Sequence, residues 1–103
     1  MEPKTQQAKR NPFARKLSFP LGGTVMTPGA MEVLEPDELV TFVARHARGD
    51  WGEVPDGDWK ENDFSVEQGY RILSVYTSRR GEKVWVITEA DRSATTVLLP
   101  EEY

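Results

Sequence analysis

The spacing of apolar positions changes period once along the chain, near residue 70. Before that point the clearest signal is helical. Leu39, Phe42, Val43, His46 and Ala47 recur at i, i+3, i+4, i+7 and i+8, a single stripe along an amphipathic helix. Pro36 supplies its start, and Asp37 and Glu38 stand in the first turn, where the helix dipole favours carboxylates. Arg45 and Arg48 occupy the last turn and Gly49 follows as a stop. Thr27-Pro28 reads as an N-cap and first helical residue of a shorter helix reaching Leu34. Residues 56–68 read as a third helix ended by Gly69. Only Trp59, Phe64 and Val66 are apolar there, so this helix should lie on the surface and bury a narrow stripe.

After Tyr70 the period is two. Residues 70–77, 83–89 and 95–99 are rich in β-branched and aromatic side chains, as a half-buried sheet requires. Arg79-Arg80-Gly81-Glu82 makes the first turn, with glycine where φ is positive, and residues 90–94 make the second connection. Thr24-Val25-Met26 reads as a short strand or an extended lead-in. The pattern predicts an α+β fold: two to three short helices on one face of a three- to four-stranded antiparallel meander, the other face largely solvated. Residues 95–99 form an apolar edge that needs cover, from an edge-strand dimer or, in a monomer, from Pro100 and Glu101-Glu102.

Composition narrows the classes. A chain of 103 residues suits one domain with a modest core, and no stretch is apolar enough to span a bilayer. No apolar segment follows the charged N-terminus, so a secretory signal is not expected, and the cytoplasm of a bacterium-like host is. The absence of cysteine excludes disulfides, thiolate zinc sites and a cysteine nucleophile, and one histidine excludes any metal site needing two imidazoles. No metal or cofactor is expected. The net charge of −4 is uneven. Residues 1–17 carry five of the thirteen Lys and Arg with one of the seventeen Asp and Glu, while the remainder carry eight against sixteen. Residues 1–18 therefore read as a disordered basic leader and 19–103 as a single domain with a charge of −8, which disfavours nucleic acid as a partner.

Candidate chemistry falls in two places. His46 sits at the edge of the helical stripe, beside Asp50-Trp51-Gly52, either as a general acid or base or as a helix-end histidine bonded to a carbonyl or to Asp50. The connection holding Glu89, Asp91, Arg92, Ser93, Thr95 and Thr96 is more polar than a hairpin needs. Arg92 with the hydroxyls is suited to clamping a phosphate or carboxylate. The alternative is a self-satisfied loop in which Asp91 caps the turn and Glu89 pairs with Arg92. Arg71 and Ser74 point to opposite faces of their strand, so only one of them can lie beside the His46 helix.

The segments Arg45-His46, Gly49-Asp50-Trp51-Gly52, Arg71-Ile72-Leu73-Ser74-Val75-Tyr76 and the block from Trp85 to Tyr103 resemble a family of small proteins found on bacterial plasmids and integrative elements. Some members are labelled restriction-system subunits, but a chain this short is no methyltransferase subunit. The resemblance implies a mobile-element setting and not an activity. Two functions are compatible with the residues. One is an accessory protein-binding module directed at a host or defence component, with Asp50, Trp51, Glu89, Asp91, Arg92, Ser93 and Thr95 at its binding surface. The other is a metal-independent ribonuclease of barnase- or RelE-like architecture. In it His46 activates the 2′-hydroxyl, Arg71 or Arg92 stabilises the phosphorane and Thr96 positions it.

Overall fold

Four strands form one sheet in the order β1-β4-β3-β2, described by a computed structural model over residues 19–103. The expected basic leader lies outside the described residues. In chain order the elements are β1 (Gly23–Met26), α1 (Pro28–Val33), α2 (Pro36–Ala47), α3 (Asp56–Gln68), β2 (Ile72–Thr77), β3 (Lys83–Thr88) and β4 (Ala94–Leu98), closed by a 3-10 turn at Pro100–Glu102. The α+β reading and the β2-β3-β4 meander hold. The sheet is mixed and not purely antiparallel, because β1 pairs with β4 in parallel. That pairing also covers the β4 edge, for which a dimer or the Pro100–Glu102 end was expected.

Local chemistry accounts for the helix ends. Thr27 Oγ1 accepts from Ala30 N at 3.3 Å with Pro28 at the first helical position, which starts α1. Glu38 Oε1 accepts from Glu35 N at 3.0 Å at the start of α2, and its other oxygen accepts from Arg79 N at 2.7 Å, tying the helix to the β2-β3 turn. Gly69, at φ 80°, ends α3. At the start of β1, Gly22 lies so close to the β3-β4 turn that a Cβ would meet the carbonyl carbon of Ser93 at 2.4 Å. Gly23 N then donates to Ser93 O at 3.1 Å and sets the parallel register.

Alternation divides the sheet into two faces. Ile72, Ser74, Tyr76, Val84, Val86, Thr88, Thr95 and Val97 point one way, and all are buried. Val33 and Leu34 close α1 and Phe42 descends from α2 onto this face, where Phe42 stacks on Tyr76 at 4.8 Å. Leu73, Trp85, Ile87 and Thr96 point the other way. α3 runs beside the outer edge of β2 and covers neither face fully. Its Asn62 takes the place of a neighbouring strand, with Nδ2 donating to Leu73 O at 2.7 Å and Oδ1 accepting from Leu73 N at 3.4 Å. Two residues on, Val75 N donates to Trp51 O and Val75 O accepts from Glu53 N. Among the described residues no helix is long and apolar enough to cross a membrane.

Candidate functional site

His46 is fully buried beneath the sheet's covered face, with Phe19 and Trp51 set edge-on to its ring at 5.4 and 5.6 Å. Both nitrogens are engaged, Nδ1 with Ser74 Oγ at 2.6 Å and Nε2 with Thr88 Oγ1 at 2.8 Å. The direction of each bond follows from the far end of the chain of hydroxyls. Thr95 Oγ1 donates to the carbonyl of Leu21 at 2.7 Å, since a carbonyl can only accept. Thr88 must then donate to Thr95 across their 2.7 Å contact, and having one proton it must accept from His46. The histidine therefore carries a proton on Nε2, and in the neutral ring that burial favours, its Nδ1 lone pair is taken by the Ser74 hydroxyl. Burial, with a smaller push from the charge of Arg92, lowers the imidazole from 6.5 to about 3. A ring so placed has no lone pair to offer a substrate.

Arg92 is also committed, to backbone carbonyls. Its Nη1 donates to Tyr70 O at 2.7 Å and to Glu89 O at 3.1 Å, and its Nη2 donates to Ser65 O at 2.8 Å. These bonds clamp the end of α3 and the start of β2 to the β3-β4 turn, in which Arg92 itself takes φ 61°. Asp91 accepts from Ser93 N at 3.0 Å, and the side chain and amide of Ser93 hold its carboxyl below the ordinary range. The polar connection is thus a self-satisfied turn, but the expected Glu89–Arg92 ion pair is corrected: Arg92 bonds the Glu89 carbonyl, and the Glu89 carboxylate lies 3.8 Å from Arg71 Nε. Asp50 and Trp51, expected at a binding surface, are buried instead. Asp50 pairs with Arg45 at 2.6 Å and accepts from Gly52 N, while Trp51 Nε1 donates to Asp63 at 2.9 Å. The helix-end reading of His46 is corrected in its partners, because Asp50 is taken by Arg45.

The open side of the molecule carries a different site. Between α3 and the uncovered face of the sheet lies a groove of about 630 Å³, within the range of roughly 300–1,000 Å³ usual for ligand sites. Leu73 and Ile87, adjacent in the β2-β3 register, form its floor. One wall carries Phe64 and Tyr70, whose rings are 6.0 Å apart, and another carries Trp85 and Tyr103, edge-on at 5.6 Å. Phe64, Tyr70 and Tyr103 are 54, 55 and 67 % exposed, although each is a large apolar surface. Asp58 and Glu61 line the helical rim. Arg71 lines the opposite side, its Nη1 donating to Tyr103 Oη at 2.6 Å and its Nε 3.8 Å from Glu89.

His46, Arg71, Arg92 and Thr96 do not meet. His46 and Thr95 lie on the covered face, Thr96 points to the open face, Arg71 stands at the groove and Arg92 is bound within its turn. Of these four, Arg71 alone borders the groove. Among the described residues no three His, Asp or Glu side chains gather as a metal site would require. Ser74 and Thr88 had a legible signal: they share the phase of Ile72 and Tyr76, and of Val84 and Val86, so their hydroxyls had to find partners inside. The groove had none, since it joins a helix, two strands and the last residue of the chain. Comparison with protein-family models, with curated proteins and with solved structures gives no match.

Proposed function

We propose that this chain is a small binding module that engages a protein partner through the groove on the open face of its sheet. The observation carrying this reading is the groove itself, where three large aromatic side chains remain more than half exposed around an apolar floor. Aromatic side chains clustered at the surface are typical anchors of protein contacts. The mobile-element setting implied by the family resemblance makes a host protein or a defence component the natural class of partner. The acidic body suits a partner that handles nucleic acid, since such proteins present basic surfaces. The ribonuclease reading has less support, because a substrate phosphate has no route to the His46 ring past Phe19 and Trp51.

The test is comparative capture from source-cell lysate, using the full chain and a Phe64→Ser/Tyr103→Ser variant whose thermal melt matches the parent. The expected result is a stoichiometric protein that co-purifies with the parent and is lost with the variant. In parallel, RNA incubated in EDTA with the parent or with His46→Gln should stay intact. A partner held equally by the groove variant, or RNA cleavage that His46→Gln abolishes, overturns the reading.

A further inference from the structure

Resting on the groove as the recognition surface, we infer that its ligand is an arginine side chain flanked by apolar residues, presented by a segment of the partner protein. Charge around the groove is the first ground. Asp58 and Glu61 are exposed on α3 and make no ion pair among the described residues. They lie three residues apart on one helical face, where like charges repel. Asp58 has a local reason to be acidic, since it stands in the first turn of α3. Glu61, one turn later, has no such reason. Arg71, the one cation lining the groove among the described residues, is already held by Glu89 and by the Tyr103 hydroxyl. Among the described residues the uncompensated charge facing the groove is therefore negative, and a cation between the two carboxylates would relieve it.

Ring geometry selects the kind of cation. A guanidinium is flat, stacks on aromatic faces and meets carboxylates with paired N–H donors, whereas an ammonium is a compact, strongly hydrated point charge. This protein already stacks its own guanidinium groups in that manner, with Arg71 5.1 Å from the Tyr103 ring centre, Arg45 4.6 Å from Tyr76 and Arg92 5.7 Å from Phe19. The Phe64 and Tyr70 rings stand beside Glu61 with no such cation over them among the described residues. The groove also exceeds one side chain in volume, and its floor of Leu73 and Ile87 offers a dry surface to an apolar neighbour of the arginine. Phosphate, nucleic acid and acidic peptides are disfavoured by the same two carboxylates.

The probes are short synthetic peptides carrying one arginine between leucines, with the arginine replaced in parallel by lysine, by citrulline or by glutamate. Citrulline keeps the shape of arginine and removes its charge. Binding to the full chain is followed by the indole N–H resonances, of which Trp85 lines the groove while Trp51 and Trp59 are buried away from it. The expected order of affinity is arginine, lysine, citrulline, with no binding by glutamate and with Trp85 as the one indole to shift. In Asp58→Asn/Glu61→Gln the arginine peptide should bind about tenfold more weakly, and its advantage over citrulline should vanish. Equal affinity for arginine and citrulline, an unchanged affinity in the double variant, or no Trp85 shift with millimolar arginine peptide overturns the inference. If the captured partner is lost with Phe64→Ser/Tyr103→Ser yet fully retained by Asp58→Asn/Glu61→Gln, the groove stands as the recognition surface and arginine alone is wrong.

Discussion

Protonating His46 places a charge against Phe19 and Trp51, so the folded ring resists its proton until about pH 3, while the unfolded chain takes it near 6.5. Above 6.5 neither state binds this proton and its contribution to stability is complete. Between 6.5 and about 3 the unfolded chain alone binds it, so stability declines as pH falls. Well inside that window a single such group costs about 1.4 kcal/mol per pH unit. The carboxylates held low in the fold act further down. Glu38, held by the amides of Glu35 and Arg79, and Glu53, held by Lys83 and Thr77, begin from ordinary values of 4.5. Urea unfolding between pH 6.5 and 5 should therefore show a falling stability that His46→Gln lacks. At pH 7 the same substitution should cost about 2–4 kcal/mol, since one of Ser74 and Thr88 loses its partner inside the core. A parent curve that is flat across that window would show that the ring is not held neutral.

At the scale of elements, α3 combines two tasks. It supplies one rim of the groove, and through Asn62 it occupies backbone groups of β2 that would otherwise face solvent. Asn62→Leu should cost about 1–3 kcal/mol, because Leu73 N–H and C=O lose their partner at a partly buried position. Faster hydrogen exchange at the Leu73 amide, without change at Val86 in the centre of the sheet, is the expected mark; unchanged exchange would assign the edge to other contacts. The helices and the three meander strands were legible because each is declared locally, by its period, its caps and its turn residues. β1 was legible as a segment and not as a parallel partner, since its register depends on Ser93 and Val97, some seventy positions away. His46 was marked as a residue of interest, and Ser74 as one of two candidates to lie beside its helix. Neither Ser74 nor Thr88 was read as a buried hydroxyl, although their phase with Ile72, Tyr76, Val84 and Val86 holds that signal. The groove was not legible, because Phe64, Trp85 and Tyr103 become neighbours only when α3, β3 and the closing turn are in place.

For the whole molecule, the two faces of the sheet divide the work. One is sealed under α1 and α2 with a directional chain of hydroxyls in it, and the other holds exposed aromatic rings beside carboxylates that make no ion pair among the described residues. The edges are unequal as well. β2 is closed by Asn62 and by the Trp51–Glu53 backbone. Along β1, Gly23 N and Thr27 N bond inward to β4, which leaves Thr24 and Met26 turned outward with no partner among the described residues. Such inequality sets a ceiling on assembly. Two copies joined antiparallel along β1 would form an eight-stranded sheet whose ends are both blocked, so growth stops at the dimer and no fibre can follow. Sedimentation at high concentration should show monomer and at most dimer for the parent. Asn62→Leu frees Leu73 alone while Val75 stays bonded to the Trp51–Glu53 backbone, so it should add no open-ended species; a ladder of oligomers from the parent itself would show that β2 is not closed. One side-chain amide and three residues of backbone, laid along a single strand, thus make the difference between a finite particle and a polymer.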